Sequence, residues 1–181
     1  MTKMVELPEI STDRLILRAY LPEDADDLLA MWKDPDLSQY FPPNFKELDQ
    51  SGIQARIEKL ALLWQTRRYS QWGIFSKDNG QLIGYCGLQA LDKTDDVELY
   101  YGLTRSLWGQ GLATEATRSA VQYSFEKLDL PRLTALTFHQ NTASQKVLQK
   151  LGFKFGGNRS FYQTEVLYFE LSRQEYESGK E

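Results

Sequence analysis

Residues 108–115 run Trp108-Gly109-Gln110-Gly111-Leu112-Ala113-Thr114-Glu115, two glycines where an expected strand hands over to an expected helix. A helix start carries backbone N–H groups with no intrahelical partner, and the macrodipole adds partial positive charge there. Gly109 and Gly111 lack a Cβ, so a diphosphate could approach their backbone closely. Ala113 leaves that approach almost as open, and Thr114 adds a hydroxyl. The turn has neither the Gly-Lys-Ser/Thr of a P-loop nor the dinucleotide fingerprint. By local pattern it reads equally as an anion cradle or as a plain junction. A second segment, Asn141-Thr142-Ala143-Ser144, continues through Val147, Leu148 and Leu151 to Gly152. Taken alone, it is a capped amphipathic helix with a glycine stop. The sole histidine, His139, has a side chain suited to proton transfer near neutrality, but its place before the helix cap suggests a solvated loop residue. The sole cysteine, Cys86, follows Gly84-Tyr85 in mid-strand and reads as a buried structural thiol. One cysteine forms no internal disulfide and no cysteine-based metal site, and no metal is expected.

The elements that position these groups follow from periodicity and punctuation. A first strand is expected over Thr12–Tyr20. Pro22-Glu23-Asp24 opens a helix with an apolar stripe of Ala25, Leu28, Leu29 and Trp32, ended by Asp34-Pro35-Asp36. Leu37–Asn44 reads as an aromatic loop, and a second helix spans about Gln50–Arg67. A β-meander follows: Gln71–Ser76, a turn at Lys77-Asp78-Asn79-Gly80, Gln81–Ala90, a turn at Asp92–Asp96, and Val97–Leu103. Then come a helix over Gly111–Leu128, a strand over Leu133–Phe138, a helix over Thr142–Leu151, and strands over Phe153–Phe155 and Glu165–Leu171. The tail from Ser178 is expected to fray.

Composition narrows the class. The chain has 181 residues, 41% hydrophobic and 25% charged, with a net charge of -4. One domain over residues 1–181 is expected, with an ordered core over about 11–173. The chain lacks the basic surplus of a general nucleic-acid binder, so no nucleic-acid partner is expected. It has neither an apolar run long enough to span a bilayer nor a secretory h-region at the N-terminus. The expectation is a cytoplasmic protein without a membrane partner.

The two chemical segments together resemble the GNAT N-acetyltransferases. That family's phosphate loop has the form Gln/Arg-x-x-Gly-x-Gly/Ala, and Trp108-Gly109-Gln110-Gly111-Leu112-Ala113 fits it with Trp108 in the first place. Three further stretches resemble the branch containing ribosomal-protein N-terminal alanine acetyltransferases: Thr12-Asp13-Arg14-Leu15-Ile16-Leu17-Arg18, Asn141-x-x-Ser144 with Leu151-Gly152-Phe153, and Leu167-Tyr168-Phe169-Glu170-Leu171-Ser172. The resemblance implies an α/β single-domain GNAT fold, a mixed, mostly antiparallel twisted sheet of about seven strands flanked by about four helices. It implies acetyl-CoA as co-substrate, without a metal, and an amine acceptor, either a protein N-terminus or a small molecule.

What it implies for residues is specific. Gly109, Gln110, Gly111, Leu112, Ala113 and Thr114 would hold the coenzyme's diphosphate, with Asn141 and Ser144 on its pantetheine side. Glu98 is the expected base, working through a water, and Ser144 the expected proton donor to the thiolate, with Tyr100, Tyr101 and Tyr162 as competing donors. Backbone N–H groups of Leu99 to Tyr101 are the candidate oxyanion donors. The acceptor pocket is expected from Leu37–Asn44 and the second helix, with Tyr40, Phe41, Trp72 and Tyr100 lining it. Where the branch often has Glu-x-Gly-Tyr, this chain has Glu98-Leu99-Tyr100-Tyr101, so Tyr100 is expected to narrow the cleft. A homodimer is compatible with all of this. Two rival readings use the same turn: a non-catalytic acyl-CoA-binding sensor, and a nucleotide-binding interaction protein.

Overall fold

A computed structural model describes residues 7–41, 48–91 and 93–180. Its frame is one eight-stranded sheet: β1 (Ile10–Ser11), β2 (Leu15–Arg18), β3 (Gln71–Ser76), β4 (Leu82–Ala90), β5 (Val97–Leu103), β6 (Arg132–Thr137), β7 (Lys154–Phe161) and β8 (Thr164–Ser172). Among the described residues there are six helices: α1 (Ala25–Lys33), α2 (Pro35–Ser38), α3 (Gln50–Arg67), α4 (Leu112–Glu126), α5 (Thr142–Lys150) and α6 (Arg173–Ser178). The strand order is β1-β2-β3-β4-β5-β6-β8-β7, and every neighbour pair is antiparallel except β5–β6. This is the expected mixed α/β sheet with one more strand and two more helices.

Each departure has a local cause. The strand expected from Thr12 is β2 and starts at Leu15 because Thr12 forms a turn, its N–H reaching the Leu15 carbonyl at 2.9 Å. The seventh strand runs on to Phe161 although its side chains are mostly exposed, because β8 supplies its ladder. Beyond β8, Ser172 and Glu175 form a reciprocal capping box that starts α6, so the segment before Ser178 is helical. Asp34 caps the short α2 by accepting from the Asp36 N–H, which converts the start of the expected aromatic loop into a helical turn. Pro42, Pro43 and Asn44 lie outside the described residues.

The strand pleat sorts the core into two sides. Cys86, Leu88, Leu99 and Leu103 join Leu112, Ala116, Ala120 and Val121 of α4 in one cluster. Tyr85 faces the other way, into a cluster with Leu28 and Trp32 of α1 and Ile53, Ile57 and Leu60 of α3. Trp72 belongs to the first side. It is fully buried, its ring lies 4.7 Å from Trp64 and 5.3 Å from Tyr123, and its indole N–H donates to the Pro8 carbonyl. The expectation that Trp72 lines the acceptor pocket is therefore corrected. Its neighbour Gln71 takes the opposite face, and one residue is a whole face in a strand.

Candidate active site

The parallel pair β5–β6 opens a gap in the sheet. Only one registered pair joins the two strands, Glu98 with Thr134. On the other side β5 stays in register with β4 from Val97 to Leu103. Thr104 donates to Ile83 at 2.9 Å, so alternation assigns Gly102, Tyr100 and Glu98 to the hydrogen-bonded pairs with β4. The N–H of Tyr101 then points toward β6, beyond the point where pairing with β6 ends. Of the candidate oxyanion donors, Tyr101 is the one that this geometry aims into the gap.

A cavity lies on each side of the gap. The smaller, about 260 Å³, is bounded by the turn after β5 and by α5. Gly109, Gly111, Leu112, Ala113, Thr114, Asn141 and Ser144 all line it. Gly109 and Gly111 have φ of +78° and +79°, and a Cβ at Gly109 would meet nothing within 4 Å. Gly111 is the residue before α4 and makes no side-chain cap; the first intrahelical bond is Glu115 N–H to the Gly111 carbonyl at 3.0 Å. The amides of Leu112, Ala113 and Thr114 are therefore helix-start donors. Lys146 and Lys150 of α5 add cationic side chains to the same wall. Open backbone, helix-start amides and two lysines suit a phosphorylated ligand such as CoA. Gln110 is not in this wall. Its carbonyl accepts from Arg14 at 3.0 Å and its side chain is exposed.

The turn itself is braced from behind. Glu115, in the first turn of α4, accepts from the Thr12 hydroxyl at 2.6 Å, the Arg14 N–H at 2.9 Å and the Arg14 guanidinium at 2.7 Å. Burial pushes the Glu115 carboxyl up, but these bonds outweigh it and hold it below the ordinary value. The Trp108 indole N–H donates to the Leu103 carbonyl at 2.8 Å, which closes the turn onto the end of β5.

The larger cavity, about 660 Å³, opens on the α1–α3 side. Tyr40, Phe41, Tyr100 and Glu98 line it, as do Trp32, Tyr85, Gln89 and Tyr162. Phe41 packs against Trp32 with the rings tilted and their centroids 4.0 Å apart, so it forms a buried wall. Tyr100 is part of the lining of this cavity. Its ring lies over Gly87, where a Cβ would come within 2.8 Å of it, and its hydroxyl donates to the Gln71 carboxamide at 3.2 Å. Gly87 on β4 thus makes room for the Tyr100 ring.

Glu98 is 5% exposed and lies on this side. Its Oε2 accepts from Gln89 Nε2 at 2.7 Å and from the Tyr162 hydroxyl at 3.0 Å. Burial raises the carboxyl above its ordinary value, and the two donors partly offset that. Gln89 stands opposite Glu98 in the β4–β5 register, a partner visible only once the register is known.

The cavities share Tyr40, Tyr85, Tyr101, Asn141 and Ser144. Tyr101 and Ser144 meet there, their hydroxyl oxygens 2.9 Å apart, and the tyrosine also reaches the Ser144 carbonyl at 3.2 Å. Burial pushes the Tyr101 phenol well above its ordinary value. Asn141 is a helix cap, its Oδ1 accepting from the Ser144 N–H at 3.1 Å, and it lines both cavities as well. His139 lies apart, paired with Glu165 at 3.1 Å and half exposed. Cys86 is fully buried with its thiol pushed far up, so it is an inert core residue.

Residues 14–154 match the family model for the acetyltransferase (GNAT) domain. The chain belongs to the GNAT acetyltransferase family. It is 34% identical over 151 residues to YoaA of Bacillus subtilis (strain 168), named an uncharacterized N-acetyltransferase, covering 83% of this chain and 85% of that protein. Its fold is similar to that of ribosomal-protein-S5-alanine acetyltransferase from Vibrio fischeri, with a TM-score of 0.80 at 18% identity over 93% of this chain and 98% of that one. It is also similar to RimL, a ribosomal L7/L12 alpha-N-protein acetyltransferase solved with coenzyme A, with a TM-score of 0.77 at 18% identity over 91% and 98%. Both likenesses are of fold. This chain is thus a GNAT acetyltransferase, and the matched residues include the braced glycine turn. Among the described residues, no helix is long and apolar enough to cross a membrane, and no cluster of histidine, cysteine or acidic residues could hold a metal.

Proposed function

We propose that this GNAT acetyltransferase moves the acetyl group of acetyl-CoA to a primary amine by direct attack in a ternary complex. The observation that carries the reading is the meeting of two cavities at Tyr101 and Ser144, with Glu98 buried on the acceptor side. Acetyl-CoA takes the smaller cavity, its diphosphate on the amides from Gly109 to Thr114 and its pantetheine beside Asn141 in the β5–β6 gap. The amine enters the larger cavity among Tyr40, Phe41 and Tyr100.

An alkylammonium ordinarily loses its proton near pH 10, so at neutral pH it needs a base. Glu98 takes that proton through a water; its raised carboxyl is a better base than an exposed glutamate. The amine nitrogen then bonds to the thioester carbon, and the Tyr101 N–H donates to the developing oxyanion. As the carbon–sulfur bond breaks, the thiolate takes a proton from the Ser144–Tyr101 hydroxyl pair, the nitrogen of the new amide loses its extra proton to solvent, and solvent restores the hydroxyl pair, so that the proton held by Glu98 is the one net proton released. The products are the acetylated amine and CoA.

The acceptor class we favour is a protein N-terminus, on the sequence likeness to the ribosomal-protein branch. The test is a screen for free-thiol release from acetyl-CoA with N-terminal peptides, polyamines and aminoglycosides. Turnover with an alanine- or serine-initiated peptide supports this choice. Turnover with a polyamine or aminoglycoside moves the acceptor to small molecules. Tight acetyl-CoA binding with no thiol release from any amine turns the reading to a sensor.

A further inference from the structure

The β7–β8 hairpin turns on two residues. Phe161 pairs with Thr164, and between them Tyr162 and Gln163 have φ of +51° and +62°. Two successive residues with positive φ make a turn suited to Asn-Gly. A tyrosine and a glutamine hold it here, both in the left-handed region that residues with a Cβ avoid. Such a strained pair persists only where its surroundings fix it, and it is a pointer to function. Tyr162 is 46% exposed, so burial of its ring does not account for it. Its hydroxyl does make a specific contact, donating to Glu98 at 3.0 Å across 64 residues of sequence and lying 3.3 Å from Gln89 Nε2.

We propose that Tyr162 is a positioning residue, a latch by which the strained hairpin tip holds the Glu98 carboxylate toward the acceptor cavity. This rests on the reading of Glu98 as the base. The latch closes a triangle. Gln89 and Tyr162 both donate to the same Glu98 oxygen, one from β4 and one from the hairpin, which leaves Oε1 for the water that serves the amine. Both donors favour the charged form that burial disfavours. The cavity around Glu98 is also lined by the phenols of Tyr85 on β4 and Tyr100 on β5, both raised in part by its charge, and by the Arg56 guanidinium of α3, whose charge acts on those phenols. Among the described residues, no charged side chain shifts Glu98 itself. On β8, Glu165 pairs outward with His139. Loss of the Tyr162 hydroxyl therefore removes one of two donors with no charge to replace it.

The latch is tested first without any acceptor. The Glu98 carboxyl carbon, assigned by its disappearance in Glu98→Gln, is titrated by 13C NMR in wild type and in Tyr162→Phe. The expected inflection moves up by about one pH unit in Tyr162→Phe. An unchanged inflection overturns the latch while leaving Glu98 free to be the base. The kcat/KM profile with an acceptor found in the thiol-release screen then tests the underlying reading. The acid limb is expected to disappear in Glu98→Gln and to move up in Tyr162→Phe, with KM for acetyl-CoA unchanged. A wild-type acid limb in Glu98→Gln overturns the base and the latch's catalytic purpose with it, whatever the NMR shows. A third variant, Tyr162→Asn with Gln163→Gly, separates latch from scaffold, because it relieves the turn and removes the phenol together. It is expected to melt above wild type and to lose activity at neutral pH. A variant that is more stable and fully active refutes the proposal, and one that melts lower refutes the strain.

Discussion

Gly111 offers a clean measurement of whether the diphosphate lies where the loop geometry implies. It precedes α4 with φ of 79° and ψ of -1°, and a Cβ there would meet only Arg14 Nη2, at 3.6 Å. A side chain therefore fits, and its cost is the left-handed backbone, about 1 kcal/mol and less for Asn or Asp. For a chain of this size that lowers Tm by about 2–4 °C. Gly111→Asn and Gly111→Asp share the shape and the backbone cost, so their difference isolates one negative charge. Set about 5 Å from two phosphate charges at an effective dielectric near 40, that charge repels by about 3 kcal/mol. Partial pairing of Asp at 111 with Arg14 reduces this to about 2 kcal/mol, so acetyl-CoA binds roughly thirtyfold more weakly to the Asp variant than to the Asn variant. The gap narrows as salt rises. Calorimetric titration of folded wild type, Gly111→Asn and Gly111→Asp with acetyl-CoA is the assay. Equal affinities for the Asn and Asp variants would refute the diphosphate position, however well both enzymes fold.

Other consequences follow from the same geometry. Ser144→Ala is expected to lower kcat by roughly ten- to a thousandfold with little change in acetyl-CoA affinity; a wild-type kcat in this variant, with loss in Tyr101→Phe, would assign the proton to the tyrosine. Glu98 is raised in the folded protein, so the stability linked to its protonation is complete below the ordinary value of 4.5 and lost as pH rises through the raised one. Glu98→Gln is therefore expected to melt above wild type at pH 7 and to converge with it toward pH 4; a lower melting point at pH 7 would contradict the burial penalty. Glu115 is lowered, so its stabilisation is present above 4.5 and lost as pH falls through the depressed value. Glu115→Gln is expected to melt a few degrees below wild type at pH 7, to weaken acetyl-CoA binding through the unbraced turn, and to match wild type in strong acid; an unchanged Tm and affinity at pH 7 would show that the brace is dispensable.

What the sequence makes legible here is local. Gly109 and Gly111 take the positive φ that the turn requires, and Asn141 caps α5, because both depend on a few neighbouring residues. Facing is harder to read. Gln71 to Phe75 is buried on both sides, so no alternation marks which side meets the cleft, and Trp72 is easily assigned to the wrong one. The extension of β7 is hidden for the opposite reason: its exposed side chains carry no hydrophobic period. The start of α6 is different, because Ser172-Arg173-Gln174-Glu175 is a capping-box pattern readable in the chain itself. The Glu98 environment depends on Gln89 nine residues before and Tyr162 sixty-four after, which only the assembled sheet brings together. The Thr12, Arg14 and Glu115 brace is likewise split across a hundred residues, although all three stand within the stretches that carry the family resemblance.

One strand does most of the sorting of chemistry. Along β5, Glu98 and Tyr100 face the larger cavity, Tyr101 turns its hydroxyl to Ser144 of α5, and the Tyr101 N–H projects edgewise into the gap. A single pleat thus separates the proposed base from the proposed proton donors, with an amide donor between them. That order matches an amine arriving from one face and a thiolate departing toward the other, with the tetrahedral carbon held at the gap. A covalent acetyl-enzyme route would need an activated nucleophile at the same junction. Cys86 is sealed in the core, and Ser144 has a raised phenol as its hydroxyl neighbour rather than a histidine or carboxylate. His139 spends its ring on Glu165 at the surface. Among the described residues the junction thus lacks a base beside Ser144 that would make it a nucleophile, which is in keeping with the proposed direct transfer between two bound substrates.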